Sequence, residues 1–203
     1  MLRIDRDGMV LDPRVRARRF GTLERGAMEV VNGIIVHQTG GATAQSTFNS
    51  YQKSLFGAHF LVDKDGTVYQ TASLYKRTNH VGLLRSRCLA RHSCAPAELK
   101  ALHKAAPRTE NRIEQRKFFP DRFPANRDSI GIELVGEYKP NPDFGKVRGA
   151  DEFVYVPVTV DQNSTLRWLV SELRATLKVA AEEVYRHPAV SFKTSSEAVS
   201  ASW

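Results

Sequence analysis

Asn32-Gly-Ile-Ile-Val-His-Gln-Thr-Gly-Gly41 is the stretch around which the rest of this chain is read. Ile34, Ile35 and Val36 form a compact β-branched run, the composition of a buried strand, and the Gly40-Gly41 pair stops it. The strand carries His37 to its C-terminal end, where a flexible loop lets both ring edges turn toward a site. A lone histidine at a strand end is more often a satisfied structural residue than a ligand. Its meaning therefore depends on partners elsewhere in the chain.

A second strand of the same kind is Asp128-Ser-Ile-Gly-Ile-Glu-Leu-Val-Gly136. Ile130, Ile132 and Leu134 share one parity, so Gly131 and Glu133 share the opposite face. A glutamate held between Ile132 and Leu134 either meets water or lines a cleft, where burial raises its pKa. Between the two strands, Thr43 to Leu55 reads as a helix with Thr43 as N-cap. Ala58–Val62 and Thr67–Gln70 read as a hairpin around Asp65-Gly66, with His59 packed inside its first strand. Thr159 to about Tyr185 is the clearest helix: Thr159 and Gln162 fit a capping box. Its apolar stripe runs through Leu166, Leu169, Val170, Leu173, Leu177, Ala180, Ala181 and Val184, up to Pro188. A short strand is expected at Phe153 to Val156.

The chain has 203 residues, 41% hydrophobic and 26% charged, which suits one domain with a real core. Residues 1–27 read as a basic surface arm and 28–203 as the main domain, with a polar insertion at about 83–127 that decorates the core. No apolar run is long enough to span a membrane. The N-terminal residues carry charges throughout and lack the apolar segment of a secretory signal. The net charge of +8 favours anionic partners. Arg14 to Arg19 has no interleaved aromatic residues, so nucleic acid is not the expected partner. Cys88 and Cys94 form no Cys-x-x-Cys pair, and the sequence leaves open whether they are bonded or free.

Candidate chemistry is scattered along the chain: His37, Glu133, His187, and beyond it Lys193, Ser195 and Glu197. Two histidines and one anionic ligand with an open fourth position make a hydrolytic zinc arrangement. A nearby glutamate can take a proton and a lysine can stabilise an oxyanion. Five stretches add a resemblance: I-I-V-H-Q-T-G-G, G-A-H-F-L-V-D-K-D-G-T-V-Y-Q, N-H-V-G, S-I-G-I-E-L-V-G and R-H-P-A-V-S-F-K-T. In that order, over roughly residues 30 to 197, the chain resembles the zinc-dependent N-acetylmuramoyl-L-alanine amidases and the related peptidoglycan recognition proteins.

The resemblance implies an α/β fold: a central mixed β-sheet flanked by helices, with a Zn2+ site in a groove at one edge. It implies hydrolysis of the amide between N-acetylmuramic acid and L-alanine in peptidoglycan. By motif position His37 and His187 are zinc ligands, Glu133 is the general base and Lys193 lies near the reacting carbonyl. His80, with Thr39 and Asn79, is expected to contact substrate. Ala58 stands where phage members carry a catalytic tyrosine. The chain departs from the pattern at the third ligand, where Ser195 occupies the family position. Glu197, ten residues after His187, is expected to ligate instead, because zinc needs an anionic or imidazole donor; the alternatives are His80 or a site with two protein ligands and extra water.

The expected role is lytic, as an injected antibacterial effector or a phage-type endolysin. The enzyme would be made in the cytoplasm and act in the periplasm or on the cell wall after non-classical export, as a monomer. An immunity protein would be the partner of an effector. The alternatives are a cytosolic muropeptide-recycling amidase and a non-catalytic peptidoglycan-binding module.

Overall fold

A computed structural model describes residues 1–203. Its centre is the pairing of two parallel strands, β2 (Gly33–Gly40) and β5 (Ser129–Pro140). Beside them run β1 (Val15–Ala17), β3 (Phe60–Val62), β4 (Val68–Gln70) and β7 (Val184–Arg186), in the order β1-β4-β3-β5-β2-β7. A seventh strand, β6 (Phe153–Tyr155), folds back on the far end of β5. Only the β3–β4 hairpin and β6 run antiparallel to their neighbours, so the sheet is mixed.

The alternation of side chains in β2 and β5 divides the molecule into two layers. Ile34, Val36, Ile130, Ile132 and Leu134 face one way and are fully shielded from water. The long helix α5 (Val160–Leu177) lays Leu166, Leu169, Val170 and Leu173 on them. Each such side chain contributes about 1.5–3 kcal/mol on burial. Thr159 caps this helix and Gln162 reaches back, the reciprocal box expected from the sequence. On the other face, α1 (Ala44–Tyr51) packs Ala44 and Phe48 against Leu61 and Val135. Ile35 packs with Val81, Leu84, Phe123, Ala125 and Val190.

Three expectations change. The long helix does not continue to Tyr185: it ends at Lys178, which turns left-handed at φ 62°. The chain then straightens into β7, which pairs in parallel with Ile34–Val36 of β2. A buried strand edge needs hydrogen-bond partners, and Val184–Arg186 supplies them, which overrides the helical spacing. Ala180 and Ala181 stay exposed.

The N-terminal 27 residues are not merely a surface arm. β1 is the edge strand beside β4, and Leu2, Val10 and Val15 join the main core. Leu23 is fully buried. Leu2, Val10 and Val15 reach the sheet from among the charges while Leu11 stays exposed, and the Arg14 guanidinium lies 3.9 Å above the Trp168 ring.

The insertion is also tied in more firmly than a decoration. It holds α2 (Arg87–Ala90), α3 (Pro96–Leu102) and α4 (Pro107–Glu114), and a Cys88–Cys94 disulfide closes its first turn. Phe123 and Ala125 enter the second apolar layer. Two buried ion pairs fasten it, Arg87 with Glu183 and Arg122 with Asp128. Asp128 accepts from Arg122 Nη1 at 3.0 Å, from Nη2 at 2.9 Å and from the Ala125 amide at 2.9 Å. No helix is long and apolar enough to cross a membrane.

Asp128→Ala leaves a buried guanidinium without its partner. It is expected to cost about 3–5 kcal/mol of folding stability, read as a lower midpoint in urea unfolding. A change within about 0.5 kcal/mol, the usual scatter of a surface substitution, would contradict the role assigned to the pair.

Candidate metal centre and catalytic groove

The sheet register brings the scattered residues together. His37 of β2 lies directly opposite Glu133 of β5, and Leu61 of β3 flanks Glu133 on its other side. A short turn of helix, α6 (His187–Val190), follows β7, so the pairing of β7 with β2 carries His187 to within 4.1 Å of His37, ring centre to ring centre. The C-terminal loop returns Glu197 to the same point. Its Oε1 lies 2.9 Å from His187 Nδ1 and 3.6 Å from His37 Nδ1. One donor atom from each of the three lies within 4.8 Å of the others, and all three residues are buried.

Hydrogen bonds on the far side of each ring decide which nitrogen holds the proton. The Ser129 hydroxyl donates to Ala125 O at 2.7 Å, so it can only accept from His80. His80 Nε2 therefore carries hydrogen and donates to Ser129, whose Oγ and O lie at 3.2 and 3.3 Å. His80 Nδ1 is then an acceptor, and His37 Nε2, 3.0 Å away, donates to it. This leaves His37 Nδ1 as a bare lone pair facing Glu197. His187 Nε2 donates to Val81 O at 2.7 Å, which leaves its Nδ1 bare in the neutral ring.

Two lone pairs and a carboxylate thus converge with no proton among them, an arrangement that fits a cation. Burial, reinforced by the nearby His187, pushes the His37 pKa down to about 4 and keeps the ring neutral. Burial, and then the nearby His37, hold the His80 pKa well below the usual imidazole value.

A polar cavity of about 810 Å3 opens over this cluster, lined among others by Thr39, Tyr51, Asn79, Glu133 and Lys193. Burial, and then the charge of Glu197, raise the Glu133 pKa to about 7, against a hydrogen bond from Tyr51 and the charge of Lys193. Ser195 is exposed and donates to Asp151 at 3.1 Å, away from the histidines. His80 lines the groove, and both its ring nitrogens are engaged inside the chain, Nε2 with Ser129 and Nδ1 with His37, which orients the His37 ring. Gly131 makes this possible, since a Cβ there would lie 2.8 Å from His80 Nδ1. His59 is a packed structural histidine, accepting from the Gly131 amide and donating to Lys76 O. Cys88, Cys94 and Glu98 also cluster, but the two sulfurs are bonded to each other and offer no thiolate.

Several residues at the site carry no sequence signal of their own. Asn126 accepts from the amides of His80 and Val81 and so holds the turn that receives His187. Gln38 bonds Val156 O and the Ala198 amide, pinning the loop that bears Glu197. Tyr51 resembles any core residue on a helix face, yet its hydroxyl reaches Glu133.

Residues 27–198 match the family model described as N-acetylmuramoyl-L-alanine amidase. No curated protein matches the chain. Among solved structures the fold is similar to a selenomethionine derivative of AmpD, at 16% identity and TM-score 0.54, covering 93% of this chain and 88% of that one. It is also similar to the catalytic domain of XlyA, at 18% identity and TM-score 0.51, covering 88% and 87%. A third is AmiD from E. coli in complex with anhydro-N-acetylmuramic acid-L-Ala-D-gamma-Glu-L-Lys, at 16% identity and TM-score 0.50, covering 92% and 57%.

If Glu197 closes the metal sphere, Glu197→Ala abolishes the roughly one equivalent of zinc expected per chain, while Ser195→Ala retains it. Elemental analysis after dialysis reads the difference. Metal loss in the Ser195 variant alone would reverse the assignment.

Proposed function

This chain belongs to the N-acetylmuramoyl-L-alanine amidase family and is a peptidoglycan amidase, and from that premise we propose that Glu133, Lys193 and a zinc ion held by His37, His187 and Glu197 carry out the hydrolysis. The observation that carries the reading is the convergence of two imidazole lone pairs and one carboxylate at the floor of a polar groove, with Glu133 in register beside them. The bond cut is the amide joining the lactyl carbonyl of N-acetylmuramic acid to the nitrogen of L-alanine. The zinc, when bound, supplies Lewis acidity, acidifying water and polarising the carbonyl.

The residues of the chain do the rest. Glu133 accepts the proton of the attacking water and later delivers it to the departing alanine nitrogen; a raised pKa suits both transfers. Tyr51 holds the Glu133 carboxylate in place. The Lys193 ammonium, at the rim of the groove, donates to the carbonyl oxygen as charge develops on it. His80 keeps the His37 lone pair aimed. Thr39 and Asn79 line the path of the substrate.

Two observations favour action on the wall itself. The +8 charge suits an anionic polymer, and the Cys88–Cys94 disulfide suits an oxidising compartment. They support a lytic enzyme working in the periplasm or on the wall, delivered as an injected effector or an endolysin, over a cytosolic enzyme that recycles fragments. A producing cell that injects it would carry an immunity protein. The substrate groups bound by AmiD, muramic acid followed by L-Ala and D-γ-Glu, are taken as those recognised here.

Digestion of purified sacculi is expected to release stem peptides beginning at L-alanine, identified by mass spectrometry, and a chelator stops the release. Glu133→Gln lowers kcat by about a hundred- to ten-thousand-fold. Glycan cleavage, or cleavage within crosslinks, would overturn the reading. The rate also falls as pH drops, because Glu133 must be ionised to accept a proton. The acid limb lies at or below about pH 7, since a bound dication favours the carboxylate and moves the limb lower. A rate that stays flat down to about pH 4 would exclude Glu133 as the base.

A further inference from the structure

A separate cavity of about 390 Å3 adjoins the catalytic groove. Asn79 and Asn126 line both, so the two spaces are immediate neighbours. Its charge is one-sided. Arg25, Arg77 and Arg127 line it, and no acidic residue does.

The three guanidinium groups are held in place without being neutralised. Arg25 donates to the main-chain oxygens of Glu24 and Thr22, and Arg127 to those of Gln115 and Lys117. Carbonyls fix the position of a cation but do not cancel its charge. Arg77 is less satisfied still: its Nε is shut off from solvent and has no hydrogen-bond partner.

The backbone forces Arg77 into this position. The Arg25 amide donates to Arg77 O at 2.8 Å and the Arg77 amide donates to Gly26 O at 3.0 Å. The guanidinium lies so close over Gly26 that a Cβ there would be 2.2 Å from Nη2. An unpaired buried donor costs stability, and a native protein that retains one calls for a reason. An anion bound in the cavity would meet three guanidinium groups that no carboxylate there neutralises.

The substrate is asymmetric in charge. On the sugar side of the scissile amide the lactyl carboxyl is consumed in the bond. On the peptide side the γ-linked D-glutamate, the residue after L-alanine, keeps a free α-carboxylate. A carboxylate presents two coplanar oxygens that match a guanidinium fork. Resting on the amidase reading, we propose that the Arg25–Arg77–Arg127 cavity is the subsite for this α-carboxylate, and that it fixes which way the substrate lies along the groove. The enzyme then distinguishes stem peptides with a free glutamate carboxylate from those in which it is amidated.

Glu133→Gln, which leaves the bond intact, allows binding to be measured by calorimetry. The probes are N-acetylmuramoyl-L-Ala-γ-D-Glu-L-Lys and the same compound with the glutamate α-carboxylate converted to its amide. The acid form is expected to bind about tenfold tighter or more. Adding Arg77→Gln, at a side chain whose Nε makes no internal bond, removes most of that preference; Arg77→Lys, which keeps the charge but not the fork, restores part of it. Melting temperatures establish that the variants are folded. Equal affinity for the two compounds, or a preference that survives Arg77→Gln, overturns the proposal. The amidase reading stands or falls separately, on whether the wild-type chain cuts sacculi.

Discussion

The parallel pairing of β2 with β5 is the constraint from which the rest follows. Both strands are buried on both faces, so their backbone groups must be satisfied by each other and by β3 and β7. The apolar parity of Ile34, Val36, Ile130, Ile132 and Leu134 then allows only one register against α5. A slip by one residue would turn His37 and Glu133 into the core under the helix. Held correctly, the two stand side by side on the opposite face, where the groove opens.

On that face the problem is polar rather than apolar. Four histidines and two glutamates are packed into a region largely closed to water, where an unpaired polar group is costly. The chain answers with relays that end on the backbone: His37 to His80 to Ser129 to Ala125, His187 to Val81, and His59 to Lys76. Each relay consumes the outward-facing N–H of its histidine. In His37 and His187 the nitrogen left over points inward at Glu197. The orientation of the candidate ligands is therefore a product of hydrogen-bond bookkeeping in their surroundings, in Asn126 and Gln38 as much as in the ligands themselves.

The insertion and the N-terminal residues contribute to the same groove from outside the sheet. Arg122–Asp128 and Arg87–Glu183 pin the insertion where Asn126 and Arg127 can border the groove and its neighbouring cavity. The N-terminal segment threads beside β4 and sets Gly26 against Arg77. Segments that read as accessories in the sequence thus supply much of the positive charge near the site.

Much of this was legible before any coordinates. The two strands, the helix capped by Thr43, the Asp65-Gly66 hairpin and the capping box at Thr159 are local features, and local propensity and periodicity determine them. The order of short motifs around His37, Glu133, His187 and Lys193 pointed to the family. The end of α5 was not legible, because Ala180 to Val184 keeps helical spacing and only the unfilled edge of β2 draws Val184–Arg186 into the sheet. Nor was the inward packing of residues 1–27, whose apolar residues are isolated among charges. The ring contacts of His80 were hidden as well: a loop histidine declares nothing about its ring until Gly131 leaves room for it and Ser129 accepts its N–H. The sequence by itself determined which residue types were on hand and which strands would carry them. Only the tertiary structure decided which nitrogens face Glu197, because a tautomer is chosen by partners that lie tens of residues away.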